Sequence, residues 1–364
     1  MASQLPAHFR EFLNRTGNLL IHLSDRCNLS CKHCYLNASL NGATMLPIDM
    51  VKNTLHEANE LGLKSVQISG GEPLLYPDIQ EVLRAAKGKS FKFILSTNAT
   101  LISDDTVALL AGMNASTVVS IDGPRQYHDA FRGKKGSFEM AKTGLARLVD
   151  HKVPVKVVMT VCRESLPYLD WCAEWANEMK ADMLQFQPLS RVGRGQGIED
   201  LRLSHEMLHD LFIHLNDLTV KYAKRGMKIT MTYQSRDYML AHPCRAFVCD
   251  GKKCHRGVEK ELKKIVIRED GSILPELVDI DRRFAIGSLY KNTLTKNIIN
   301  FLENGYAQFD QLCRDLYHKI VPNYPSPLIP WNEILTEHSK KSPPLRIDQR
   351  KQKTPRQLIS QPVQ

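Results

Sequence analysis

The chain has 364 residues, 43% of them hydrophobic and 24% charged, enough for one large core or for a domain of roughly 200–250 residues with a smaller unit attached. No run approaches the about 18 apolar residues of a membrane span, and Met1–Arg15 lacks the apolar core of a secretory signal, so a cytoplasmic protein with no membrane partner is expected. The formal charge is +10, but there is no zinc-finger spacing, no helix-turn-helix pattern and no interleaving of basic and aromatic residues, which speaks against nucleic-acid binding.

In chain order, Leu19–Leu23 predicts the first strand and Ile48–Leu61 a helix, with Met50, Val51, Leu55, Ala58 and Leu61 near helical spacing. Strands are predicted at Ser65–Ser69, Phe91–Leu95, Thr117–Ile121, Val155–Val161 and Met183–Gln187. Helices are predicted at Ile79–Ala86, Asp104–Gly112, Phe138–Asp150, Tyr168–Lys180 and Ser204–Tyr222. Strands separated by helix-length crossovers imply a parallel sheet under helices, so the predicted class is α/β, a partial (β/α)6 barrel. Further on, the apolar runs flanking Asp270-Gly271 predict a hairpin, and Thr293–Tyr317 predicts one helix. These belong to a small C-terminal α+β module. The expected division is 1–232 for the barrel, 233–322 for the module and 323–364 for a basic, Pro-containing tail, which reads as solvated charge.

In such a fold the site lies beyond the carboxyl ends of the strands. Four motifs fall there. Cys27, Cys31 and Cys34, spaced C-x3-C-x2-C, follow the first strand, and Gly70-Gly71-Glu72-Pro73 follows the second. Ser96-Thr97-Asn98 ends the third, and Ser120-Ile121-Asp122-Gly123 ends the fourth. Three clustered thiolates can hold three irons of a [4Fe–4S] cube and leave the fourth iron open. The paired glycines would let backbone approach a ligand, Glu72 offers an acceptor for an ammonium group, and Pro73 fixes the turn. Ser96 and Asn98 suit a ribose or amino-acid moiety, and the fork of Arg132 suits a carboxylate. Cys162 and Cys172 read as core residues.

The cysteine loop and the Gly-Gly-Glu-Pro turn resemble those of the radical S-adenosylmethionine (SAM) enzymes; His33 stands where that family usually has an aromatic residue. The resemblance implies a [4Fe–4S] cluster on Cys27, Cys31 and Cys34, and SAM contacts at Gly70, Gly71, Glu72, Pro73, Ser96, Asn98, Ser120, Asp122 and Arg132. It also implies reductive cleavage of SAM to a 5′-deoxyadenosyl radical that abstracts hydrogen from a substrate, and an electron donor of the flavodoxin or ferredoxin type.

The run from Ser120 to Phe138, with Cys254-His255-Arg256-Gly257 and the Asp270-Gly271 hairpin, resembles the branch with a SPASM or twitch auxiliary module. That module usually has a cysteine where this chain has Glu276, and its terminal cysteine group is reduced to Cys313. Cys244, Cys249, Cys254 and Cys313 are therefore candidates for one auxiliary cluster, for a zinc site, or for a metal-free remnant. Cys249 and Cys313 are also candidate hydrogen donors. The basic loop Gln187–Gly195 offers side chains that could face an acidic substrate. The substrate expected first is a ribosomally made peptide, with small-molecule, cofactor or haem-precursor maturation as the alternative. A non-catalytic iron–sulfur or zinc scaffold is the reading from another class.

Overall fold

Ten strands form one sheet in the order β11-β10-β9-β1-β2-β3-β4-β5-β6-β7. The computed structural model describes residues 17–248, 264–276 and 279–341. Strands β1 (Asn18–His22), β2 (Ser65–Ser69), β3 (Lys92–Thr97), β4 (Ala115–Ser120), β5 (Val155–Val161), β6 (Met183–Pro188) and β7 (Lys228–Met231) lie parallel in chain order. The helices between them are α1 (Ile48–Glu60), α2 (Ile79–Ala86), α3 (Asp104–Ala111), α4 (Arg125–Arg132), α5 (Ser137–Asp150), α6 (Leu169–Glu178) and α7 (His205–Ala223). The predicted α/β class and parallel sheet are borne out. Among the described residues β7 and β11 are the sheet's two edges, so the barrel is partial.

Alternation along the strands separates two faces. On β3 to β6, every second residue (Phe93, Leu95, Val119, Val157, Leu184, Phe186) is fully buried in the apolar core shared with the helices. The residues between them (Ile94, Ser96, Val118, Ser120, Lys156, Gln185) are only half-buried. A parallel sheet covered on both faces normally reads apolar throughout. Here the inner face keeps several polar side chains and stays only half-buried, so it is the face of the sheet that a ligand could reach.

Beyond the sheet core, β8 (Gln234–Ser235) and α8 (Arg236–Ala241) lead toward the hairpin of β9 (Lys264–Ile267) and β10 (Ser272–Pro275). The expected hairpin forms, with Gly271 at φ 74° in its turn, and β9 pairs in parallel with β1. Strand β11 (Gly287–Ser288) completes that edge. The stretch expected as one helix is two, α9 (Leu294–Asn304) and α10 (Tyr306–Ile320), parted at Gly305. Part of the expected tail is also structured: β12 (Leu328–Ile329) pairs with β8, and α11 (Trp331–Lys341) buries Trp331, Ile334 and Leu335. No helix among the described residues is long and apolar enough to cross a membrane.

Candidate functional site

The loop carrying Cys27, Cys31 and Cys34 has almost no regular secondary structure of its own, so its shape is set by what it leans on. The N–H of Cys27 donates to Ser39 O (2.8 Å), and that of Leu29 to Cys27 Sγ (3.5 Å). The C-terminal end of α4 supplies two carbonyls: Ser30 N–H donates to Arg132 O (3.2 Å) and Lys32 N–H to Phe131 O (2.9 Å). The ring of His33 stacks on Phe131, centroids 4.5 Å apart, and burial drops its pKa to about 4. It is a neutral packing residue in the place of the family's aromatic. Cys27 and Cys31 are buried and Cys34 half-buried, none in a disulfide. Burial pushes the Cys27 thiol up to about 12, so a metal must displace its proton.

The Gly-Gly-Glu-Pro turn lies directly under this loop. Gly71 N–H donates to Ser24 O (2.7 Å) and Glu72 N–H to Arg26 O (2.8 Å). A Cβ on Gly71 would stand 2.2 Å from Arg26 O, and one on Gly70 would stand 2.6 Å from Ser24 O. The backbone these glycines admit includes that of the cysteine loop. The carboxylate of Glu72 is likewise engaged. It accepts from Leu74 N–H (3.1 Å), Thr97 Oγ1 (2.6 Å) and Asn98 N–H (2.8 Å), and burial outweighs these donors to push its pKa up to about 7. Glu72 thus ties the second strand end to the third. Pro73 opens a short 3-10 turn, 73–75, behind it. Asn98 donates to Asn28 Oδ1 (2.9 Å) and Asn28 to Thr100 Oγ1 (2.8 Å), which joins the third strand end to the cysteine loop.

Ser96 and Ser120 sit half-buried on the inner face, and Gln67 donates to Ser96 Oγ (2.6 Å). Asp122 is fully buried. Its Oδ1 accepts from Thr160 N–H (2.9 Å) and its Oδ2 from Arg132 Nε (2.7 Å). Burial works against this anion, but Arg132, His33 and His128 outweigh it and hold the pKa near about 2. Asp122 therefore aims Arg132, whose Nη1 lies 4.0 Å from Cys31 Sγ. Deeper in the bore, Lys156 donates to Gln185 (3.0 Å), a cation that the sequence reading passed over.

Sequence reasoning also missed the brace from the far side. The loop after β6 brings Arg194 against the cysteines: its N–H donates to Cys34 O (2.9 Å), its Nε to Cys31 O (2.7 Å) and its Nη1 to Ala38 O (2.9 Å). Arg191, the neighbouring cation, pairs with Glu199 (3.0 Å) and Glu337 (3.5 Å). Neither arginine is held out toward a substrate as expected. The available signal was a glycine on each side of Arg194, directly after a buried strand. His22 was missed as well. It is fully buried, meets Tyr35 Oη at 3.2 Å, and lies 3.9 Å from Glu269 of the β9–β10 turn, so it links the cysteine loop to the C-terminal hairpin. Behind the loop that follows β6 lies a cavity of about 280 Å³ walled by Leu189, Arg202, Tyr233 and Glu333, where Arg202 and Tyr233 both bond Glu333.

The donor set fits an iron–sulfur cube. Among the described residues no three histidine, cysteine or acidic side chains converge as ligands of one ion would. Three thiols in one loop are the donors a cube takes, with each corner iron held by one sulfur. Beside them the half-buried inner face offers hydroxyls and amides. A sequence profile of the Radical SAM superfamily matches residues 21–166.

Over these residues the chain is similar to the radical SAM domain.

Among curated relatives, the chain is 30% identical over 207 residues to Fe-coproporphyrin III synthase of Methanosarcina barkeri, covering 56% of this chain and 52% of that protein. It is 31% identical over 179 residues to the antilisterial bacteriocin subtilosin biosynthesis protein AlbA of Bacillus subtilis, covering 48% and 40%. The chain thus spans about half the length of these relatives. Among solved structures, Streptococcus suis SuiB bound to its precursor peptide SuiA superposes with a TM-score of 0.65 at 19% identity, over 83% of this chain and 68% of that one. This likeness establishes a shared fold that extends well beyond the radical SAM domain.

Outside that domain the auxiliary cysteines divide. Cys249 and Cys254 lie outside the described residues. Cys244 is half-buried in a short 3-10 turn after α8. Cys313 is fully buried on α10 beside Phe309, Leu312 and Leu316, and burial pushes its thiol well above the ordinary range. Glu276, where the family has cysteine, is buried and accepts from Lys264 N–H (2.7 Å).

Proposed function

We propose that this protein is a radical SAM enzyme in which Cys27, Cys31 and Cys34 hold a [4Fe–4S] cluster and the inner face of the half-barrel binds SAM and substrate. When bound, cluster and SAM supply a 5′-deoxyadenosyl radical that takes hydrogen from the substrate. The observation that carries this reading is the joint between the two motifs, in which Ser24 O and Arg26 O accept from Gly71 and Glu72. The residues of the chain act by holding position. Glu72 and Asn98 lock three strand ends together, Asp122 orients Arg132 toward the cluster and the SAM carboxylate, and Ser96 and Ser120 present hydroxyls to the nucleotide. The free thiols suit a reducing cytoplasm, with a flavodoxin- or ferredoxin-type protein as electron donor. After anaerobic reconstitution and reduction with dithionite, the protein should form 5′-deoxyadenosine from SAM, read by mass spectrometry. The triple variant Cys27→Ala, Cys31→Ala, Cys34→Ala should form none; product from that variant would refute the assignment.

The substrate we propose is a ribosomally made peptide, as the likeness to the subtilosin biosynthesis protein supports. The second reading, a haem precursor, is supported by the coproporphyrin relative and by Lys156, a half-buried cation on the inner face near the start of β5 that a propionate would reach only at the base of the bore. Lys156→Met separates the two: it should abolish turnover of a propionate-bearing tetrapyrrole and leave uncoupled 5′-deoxyadenosine formation intact. One auxiliary cluster on Cys244, Cys249, Cys254 and Cys313 belongs to the same proposal, and iron counting on the reconstituted chain tests it.

A further inference from the structure

The cysteine loop has many backbone polar groups to satisfy and no helix or strand in which to satisfy them. Its first half is pinned by the Gly-Gly-Glu-Pro turn and by the end of α4. Three carbonyls of its second half, those of Cys31, Cys34 and Ala38, all accept from one residue, Arg194. Two of these are the carbonyls of proposed cluster ligands. The approach is close: Gly193 has φ 62°, and a Cβ there would stand 2.3 Å from Cys34 O. Gly193 therefore brings the backbone in, and the guanidinium spans from Cys31 to Ala38. A lysine could reach one carbonyl at a time, whereas the planar fork reaches two in different directions.

We propose that Arg194 is a positioning residue for the radical reaction: it sets the spacing of Cys31 and Cys34 before iron arrives and makes the cluster's surroundings depend on the loop after β6. This rests on the cluster assignment above, but part of its test does not. In the full chain without iron, Arg194→Gln and Arg194→Lys should raise hydrogen exchange across Cys31–Ala38 by about tenfold or more, the scale of lost bonds to a charged donor. Exchange in β2 to β5 should stay unchanged. In reconstituted protein the same variants should lose iron to a chelator about tenfold faster and show an altered paramagnetic resonance spectrum of the reduced cluster, Lys less than Gln. Arg191→Gln, whose partners are Glu199 and Glu337, should behave as wild type.

Wild-type exchange, iron loss and spectrum in folded Arg194→Gln would overturn the proposal. If Arg194→Gln does not fold, Arg194→Lys decides by the same readings. Should wild-type protein bind no cubane, the cluster assignment fails, while the iron-free exchange measurement still decides whether Arg194 shapes the loop.

Discussion

Asp122 shows how one buried carboxylate can serve a site without touching the reacting atoms, by aiming Arg132. The carboxylate is fully buried and spends one oxygen on Thr160 N–H and the other on Arg132 Nε. Asp122→Ala would leave the guanidinium buried and unpaired, a loss expected at about 3–5 kcal/mol, to be read by chemical denaturation with SAM affinity measured in parallel. Asp129 does a different task in the same motif. It accepts from Gly136 N–H (2.7 Å), Ser137 Oγ (3.0 Å) and Phe138 N–H (2.8 Å), capping α5 from a distance. Burial opposes its charge, but the donations from Phe138, Gly136 and Ser137 outweigh it, and its pKa lies below the ordinary 3.8. A depressed carboxyl contributes stability that is complete above its unfolded pKa and lost as pH falls through the folded one. Asp129→Ala should cost about 0.5–2 kcal/mol at neutral pH, and the gap between wild type and variant should close below about pH 4. A gap that does not narrow as pH falls below that range would assign the effect to packing.

Gly71→Ala tests the joint between elements. The added methyl would stand 2.2 Å from the backbone of Arg26, so the turn and the cysteine loop must separate. Iron retention should fall sharply, while the far-ultraviolet circular dichroism of the barrel stays close to wild type. That joint also marks how far sequence reasoning reached. The strands β2, β5 and β6 and most helices follow from alternation and helical spacing, because local periodicity reports burial directly. The rim was legible because strand ends carry unusual residues. What each rim residue touches was not legible: Glu72 reads as a ligand contact, and nothing in the sequence pairs it with Thr97 and Asn98. Arg194 and Cys31 are far apart in sequence, and no local pattern announces that a guanidinium closes on that carbonyl. The four-residue β7 is too short for alternation to register, helix α4 is mostly polar (Arg125, Gln126, His128, Asp129, Arg132) and so shows no apolar stripe, and Gly305 splits a continuous apolar pattern into α9 and α10.

At the scale of the whole molecule, the C-terminal part is not an appendage. Strand β9 pairs along β1, the strand that delivers the cysteine loop, and Ile265, Val266 and Ile267 are fully buried there. A chain ended at Val248 would strip β1 of that partner and expose its backbone edge, so it should aggregate or melt without a cooperative transition. The far end is tied in as well. Helix α11 buries Trp331, Ile334 and Leu335, each worth about 1.5–3 kcal/mol, and its Glu333 holds Arg202 and Tyr233 beside β7. A chain ended at Pro330 gives up all of these contacts and should melt well below the full chain in calorimetry. A chain ended at Lys341 keeps every one of them and removes only the basic stretch of residues 342–364. If that stretch is solvated charge, this shorter chain should match the full one in both melting temperature and 5′-deoxyadenosine formation. A drop in melting temperature would instead show that residues 342–364 pack on the fold, and a drop in turnover alone would give them a part in substrate binding.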